Sequence, residues 1–150
     1  MADEDTRAPP DWLTIDYLTE ALKTGSEKPD LIIDQCDVQP AVSVGENYGN
    51  LMFRATLVIL DTPDSDPEII SVVCKTHTKG IMAELSKNTF QFEKEALIVK
   101  KILPEIFEIL WEVNPEQPRL GPKGYFFGTD PDELAIFEDL KVSGFENLDR

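Results

Sequence analysis

Lys75 stands at the end of an apolar run, Ile69-Ile70-Ser71-Val72-Val73-Cys74. That is a costly place for an ammonium group unless it is paired, reaches water, or meets an anionic ligand. Glu95 falls inside an apolar stripe at helical spacing, three residues after Phe92 and four before Val99, whereas Glu93 falls on the flank near Lys100. A carboxylate aimed at a core calls for a cation, and Lys75 on the adjacent strand is the candidate. Such a pair would hold the lysine where its charge can neutralise phosphate oxygens. The plainer alternative is a strand-end lysine in solvent and a glutamate at the wet edge of its helix.

Two further segments could complete a phosphate site. Gly45-Glu46-Asn47-Tyr48-Gly49 places two glycines around a turn between strands, where backbone N–H groups can approach an anion closely. It matches neither the Walker sequence nor the G-x-G-x-x-G fingerprint, and an ordinary hairpin loop has the same composition. Glu138-Asp139-Leu140 follows the apolar run Leu134–Phe137. It reads either as a strand end meeting water or as a connector whose backbone faces an adenine edge between Phe137 and Leu140. The single histidine, His77, has no partner pattern for a triad or metal site and reads as a surface residue in the Thr76–Gly80 loop. The pairs Asp64/Asp66 and Asp130/Asp132 belong to proline-bearing turns, where aspartate serves turn chemistry, so no metal ligands are assigned.

The elements that must position these residues follow from periodicity. Leu13, Tyr17, Leu18, Ala21 and Leu22 recur at helical spacing, with Thr14 as N-cap and Gly25 as the stop. Residues 31–44, interrupted by Pro40, suit an edge strand or two short ones. Leu51–Leu60 and Glu68–Lys75 form a hairpin across Asp61–Pro67, and the apolar continuity of the second predicts burial on both faces. From Thr89 the period becomes helical, with Phe92, Ala96, Val99 and Leu103 on one stripe and Pro104 forcing a kink or restart. Tyr125–Phe127 and Leu134–Phe137 form a last hairpin around Gly128–Asp132. The order predicts an α+β layer, a helix packed on a sheet.

Composition narrows the class. A chain of 150 residues that is 41% hydrophobic can bury a core. With 29 acidic and 14 basic residues, its net charge of −15 repels nucleic acid and anionic membrane surfaces alike. No stretch approaches the roughly 20 apolar residues of a membrane span, and the acidic start is no leader, which predicts a cytoplasmic protein. Cys36 and Cys74 lie apart in apolar surroundings and read as small core residues.

Taken together, the motifs resemble the ecdysteroid kinase-like family, relatives of choline and aminoglycoside kinases. The resemblance rests on Pro10-x-Trp12-Leu13, Pro40-Ala41, the Gly45–Gly49 turn, Arg54 and Val73-x-Lys75. It continues through Phe92-x-x-Glu95, Leu103-Pro104, Phe137-Glu138-Asp139-Leu140, Gly144-Phe145 and Asp149-Arg150. It implies a kinase-like N-terminal lobe over residues 11–150: a five-stranded antiparallel sheet with one long packed helix and an N-terminal helix. The polar, acidic, proline-bearing residues 1–10 before it read as a flexible acidic arm. The resemblance also implies that Gly45, Glu46, Asn47, Tyr48 and Gly49 hold phosphate, that Lys75 contacts it with Glu95 as partner, and that Glu138 and Leu140 serve the adenine side. Two departures are Asn50, where the family commonly has Ser, and Val99, where it usually has Tyr.

The catalytic His-Gly-Asp loop and metal-binding Asp of the family's second lobe have no counterpart in the sequence. The expectation is therefore a partial or truncated nucleotide-binding lobe of a hydroxyl-directed ATP-dependent kinase, holding ATP weakly and Mg²⁺ only with the missing lobe. The alternative is a non-catalytic acidic interaction or pseudokinase module that binds a second lobe or another protein. A lone lobe would uncover apolar surface around Phe137, Leu140 and Phe145 and favour self-association.

Overall fold

The computed structural model of the protein describes residues 8–41, 50–77 and 81–146. The Gly45–Gly49 turn, Asp149-Arg150 and most of the N-terminal arm lie outside the described residues. The chain runs α1 (Ile15–Ser26), β1 (Ile32–Pro40), β2 (Asn50–Leu60), β3 (Glu68–His77), α2 (Ile81–Asn88) and α3 (Gln91–Leu97). A π-helical stretch (Ile98–Ile102), α4 (Leu103–Val113), β4 (Gly124–Gly128), β5 (Leu134–Glu138) and a 3₁₀ turn (Leu140–Ser143) follow. The strands form one antiparallel sheet in the order β1-β2-β3-β5-β4. The architecture is thus α+β, with a five-stranded sheet, a long helix and an N-terminal helix.

The N-terminal helix starts where the Thr14 hydroxyl accepts the Tyr17 N–H at 3.2 Å, satisfying a donor that the first turn leaves free. It does not stop at Gly25. Gly25 is inside α1, and the left-handed cap is Glu27, at φ 56°. A side chain at Gly25 would collide with the β4 backbone, because a Cβ there would lie 1.6 Å from the Tyr125 carbonyl oxygen. Glycine is needed for close approach rather than for termination.

Alternation along β2 sends Phe53, Ala55, Leu57 and Ile59 to one face, where they meet Val72 and Cys74 of β3 and Leu134 and Ile136 of β5. Leu18, Ala21 and Leu22 of α1 close this core from above, and a fully buried Leu or Phe contributes about 1.5–3 kcal/mol. The expected two-faced burial of β3 does not hold. Ile69 is 73% exposed, and on the same face, opposite the core, Val73 and Lys75 line a cleft. Polar Asp34, Asp37 and Gln39 and the terminal Pro40 make β1 a poor template for further pairing.

The long helix rests on that second face. Phe92, Glu95, Ala96, Val99, Leu103 and Leu110 are its part-buried positions, and Phe107 is buried. Phe92 meets Phe127 edge-on with ring centroids 6.0 Å apart. Pro104 marks a restart: the long helix passes through a π turn, and α4 begins at Leu103 with the proline in its first turn. The preceding turn widens, so that the Leu103 N–H donates to the Ile98 carbonyl, five residues back. The wider turn moves the Lys100 carbonyl out of the way of the proline ring, which a regular α turn would bring into collision.

Phe137 is not part of an uncovered patch. It is 7% exposed and packs against Phe127 at 5.4 Å, because β4 covers it. Leu140 is half-buried and Phe145 exposed. The larger uncovered apolar surface lies on the helix, where Leu97, Ile98, Ile102, Ile106, Ile109 and Val113 are all exposed.

Candidate functional site: a cleft walled by an ion pair

Lys75 leaves β3 on the cleft face, opposite Met52 of β2 and Ala135 of β5. Its Nζ donates to both carboxylate oxygens of Glu95, at 2.9 and 2.8 Å. The two side chains retain 23% and 34% of their exposure, so the pair stands in the cleft wall rather than in the core. Glu93 is exposed. An ammonium has three donors. Two directed at one carboxylate fix its position and leave a third for a ligand.

The cleft is open, about 1300 Å³, and runs from Lys75 and Glu95 past Val73 and Val99 to Phe137 and Leu140. Four cationic side chains border it, Arg54, Lys75, Lys94 and Lys141, against four acidic ones, Glu95, Glu138, Asp139 and Glu146. In a chain of net charge −15 that balance is local relief from the surrounding negative potential. Three of the acids are already neutralised by Lys75, Arg119 and Arg54, whereas Lys94 and Lys141 have no ion-pair partner among the described residues. An anion entering here meets a lining of balanced charge.

At the other end of the cleft, Glu138 and Leu140 flank Asp139, and the three differ in role. The Glu138 carboxylate takes Arg119 Nη2 at 3.0 and 2.8 Å and the Lys123 N–H at 3.0 Å. Its side chain is thereby tied to the segment before β4, and its own N–H donates to the Lys123 carbonyl at 2.8 Å. Leu140 offers a half-buried apolar wall.

Asp139 is 3% exposed and accepts Arg54 Nε and the Ser71 hydroxyl, each at 2.7 Å, on Oδ2. Burial alone would raise its pKa. The hydrogen bonds from Arg54 and Ser71, the Arg54 charge and the Lys141 N–H outweigh it and hold the carboxyl below the usual aspartate range. The sequence signal for this network was Arg54 itself, a cation between Phe53 and Ala55 that needs a counter-ion.

His77 is not a surface loop residue. β3 continues through Thr76 and His77, pairing with Leu134 and Asn50, and His77 is 7% exposed. Its Nε2 lies against Glu133 Oε2, and the Thr76 hydroxyl donates to the Glu133 carbonyl at 2.7 Å. The β-branched Thr76 and Thr78 either side of His77 were the signal that the strand ran on. Cys74 is fully buried and its thiol is pushed up to about 12 by burial, with Cys36 adding to the rise.

The structure thus brings Lys75, Glu95, Glu138 and Leu140 to one cleft. The remaining expected phosphate contacts, Gly45, Glu46, Asn47, Tyr48 and Gly49, lie outside the described residues. A five-stranded antiparallel sheet whose third strand carries a lysine paired to a glutamate of the long helix, with a connector after the last strand, is a kinase-like N-terminal lobe. The chain belongs to the ecdysteroid kinase-like family, which it matches over residues 44–150. Pro10-x-Trp12-Leu13 and Pro40-Ala41 precede the matched segment. No curated protein and no solved structure matches the chain.

Proposed function

We propose that the cleft holds an adenine nucleotide, and that the protein supplies the nucleotide-holding lobe of an ATP-dependent phosphotransferase acting on the hydroxyl of a small molecule. The observation that carries this reading is the Lys75–Glu95 pair, held at 2.8 Å in the wall of an open cleft. A lysine kept in place by a carboxylate stabilises phosphate charge without first losing the entropy of a free side chain. The apolar stretch from Val73 to Phe137 and Leu140 suits a flat purine, and the connector backbone suits its hydrogen-bonding edge. ATP supplies the transferable phosphoryl group. These residues hold and orient it, and a base and Mg²⁺ ligands for the transfer step belong to the second lobe of the family.

Half of a two-lobed site gives weak affinity, in roughly the high-micromolar to millimolar range, about −4 to −6 kcal/mol. Calorimetric titration with ATP, with and without Mg²⁺, tests this. Weak binding insensitive to Mg²⁺ and reduced in Lys75→Ala supports the reading, and equal binding by wild type and Lys75→Ala overturns it.

One observation favours a second role, docking of another lobe or protein. The exposed residues Ile98, Ile102, Ile106, Ile109 and Val113 recur at helical spacing and form an apolar stripe of the kind that marks an interaction surface. Sedimentation of the purified chain against an Ile106→Lys/Ile109→Lys variant separates the two roles. The variant loses association while keeping nucleotide affinity.

A further inference from the structure

We propose that Asp139 is the positioning residue of the purine end of this cleft: its buried carboxylate clips the connector to β2 and β3 and so fixes the height at which the connector backbone meets a base. The inference rests on the nucleotide reading above and assigns the base preference to a residue that would not touch the ligand.

The geometry joins three elements. Arg54 of β2 donates Nε to Oδ2 at 2.7 Å and Nη2 to Oδ1 at 3.5 Å, and Ser71 of β3 donates its hydroxyl to Oδ2 at 2.7 Å. Oδ1 also accepts the Lys141 N–H at 3.2 Å, capping the 3₁₀ turn that follows, and the Asp139 N–H donates weakly to the Ser71 carbonyl at 3.4 Å. One side chain thereby sets where β5 ends, how the next turn starts, and how far both stand from the sheet. Apart from its β5 pairing, the connector has no other tie of comparable strength to β2 and β3 among the described residues, and Val142 and Phe145 beyond it are 73% and 58% exposed.

The clip also restrains Arg54. Its β2 position, facing Val73, is two residues along the strand from Met52, which faces Lys75, so the guanidinium lies on the face that carries Lys75 and borders the same cleft. Held by Asp139, it is a strut. Released, it becomes a second cation available to phosphate. Loss of the carboxylate therefore separates two properties that general destabilisation would move together: recognition of the base weakens, while attraction of the phosphates is kept or strengthened.

The test compares ATP with inorganic tripolyphosphate on the full chain, wild type against Asp139→Asn, by competition or chemical-shift titration. Hydrogen exchange is followed in parallel. In the wild type ATP binds more tightly than tripolyphosphate. In Asp139→Asn the preference falls by about tenfold, the scale of one lost charge-assisted hydrogen-bond network, with tripolyphosphate affinity equal to or above wild type. Amides of 140–146 exchange at least about tenfold faster while those of β2 and β3 stay protected.

An unchanged ATP preference in a folded Asp139→Asn overturns the inference, as does an equal loss for both ligands. A wild type that binds neither ligand overturns the nucleotide reading and the base preference with it, and the exchange comparison then still decides whether Asp139 is the clip. Should Asp139→Asn fail to fold, Ser71→Ala removes one hydrogen bond and keeps the Arg54 pair. It shows the same changes at smaller size, and their absence there counts against the inference.

Discussion

Gly25→Ala sets helix propensity against packing with opposite signs. Within a helix alanine is favoured over glycine by up to about 1 kcal/mol, so propensity alone predicts a more stable protein. A Cβ at Gly25 would lie 1.6 Å from the Tyr125 carbonyl oxygen and 2.6 Å from its carbon. Reaching ordinary contact at 3.4 Å requires α1 and β4 to part by about 1.8 Å along that line, and the obstruction is backbone, not a side chain that can rotate away. Overpacking costs about 1–3 kcal/mol where side chains can yield, and more where they cannot. The net loss should be about 2–3 kcal/mol, or roughly 5–10 °C in Tm for a chain of this size. The effect should reach the cleft, since β4 carries Phe127, which packs on Phe137 and Phe92. Urea and thermal melts of the two proteins measure it. A Tm equal to or above wild type would refute the close α1–β4 approach.

A double-mutant cycle on Lys75→Met and Glu95→Gln should give a coupling of about 0.5–1 kcal/mol, the scale of a part-exposed pair and well short of a fully buried one; zero coupling would mean the pair is not formed in solution. The folded-state pKa of Asp139 lies below its unfolded value. Its contribution is therefore complete above the ordinary aspartate range near pH 4 and is lost as pH falls through the lowered folded value. The stability gap between wild type and Asp139→Asn should accordingly be constant at neutral pH and shrink only below about pH 4, and a gap that closes between pH 5 and 7 would contradict the network. With Cys74 buried and its thiol raised to about 12 while Cys36 is only partly buried, a thiol reagent should modify Cys36 first and Cys74 only on unfolding. Equal rates would place Cys74 at the surface.

Much of the fold was legible because period and breakers agreed. Thr14 capped the first helix, Asp61–Pro67 closed the β2–β3 hairpin, and the stripe Phe92, Ala96, Val99 and Leu103 is the half-buried side of the long helix. The errors came where tertiary contact overrides a local rule. Gly25 looks like a helix stop in sequence, but its missing side chain answers to Tyr125, a hundred residues away. Pro104 reads as a kink or restart, and the helix does restart there, but the π turn that lets it do so is not visible in sequence. His77 reads as a loop residue because Lys75 looks like the strand end, while the pairing with Asn50 that extends β3 is not local.

At the site, the Lys75–Glu95 pairing was readable as a need for charge compensation. For the Asp139 network only Arg54 gives a signal, because its partners Ser71 and Asp139 are brought to it only by the strand order β2-β3-β5. That order also decides which carboxylate faces inward at the connector: Asp139 is buried, while Glu138 turns toward Arg119.

The most direct test of the nucleotide reading is an NMR titration of the isotope-labelled chain with ATP, which localises even millimolar binding. Saturable shifts should appear at the Lys75 side chain and at the amides of Glu138, Leu140 and Lys141, and vanish at the connector when tripolyphosphate replaces ATP. Shifts confined to the outer face of the helix, or none in the cleft up to several times the expected millimolar Kd, would contradict it.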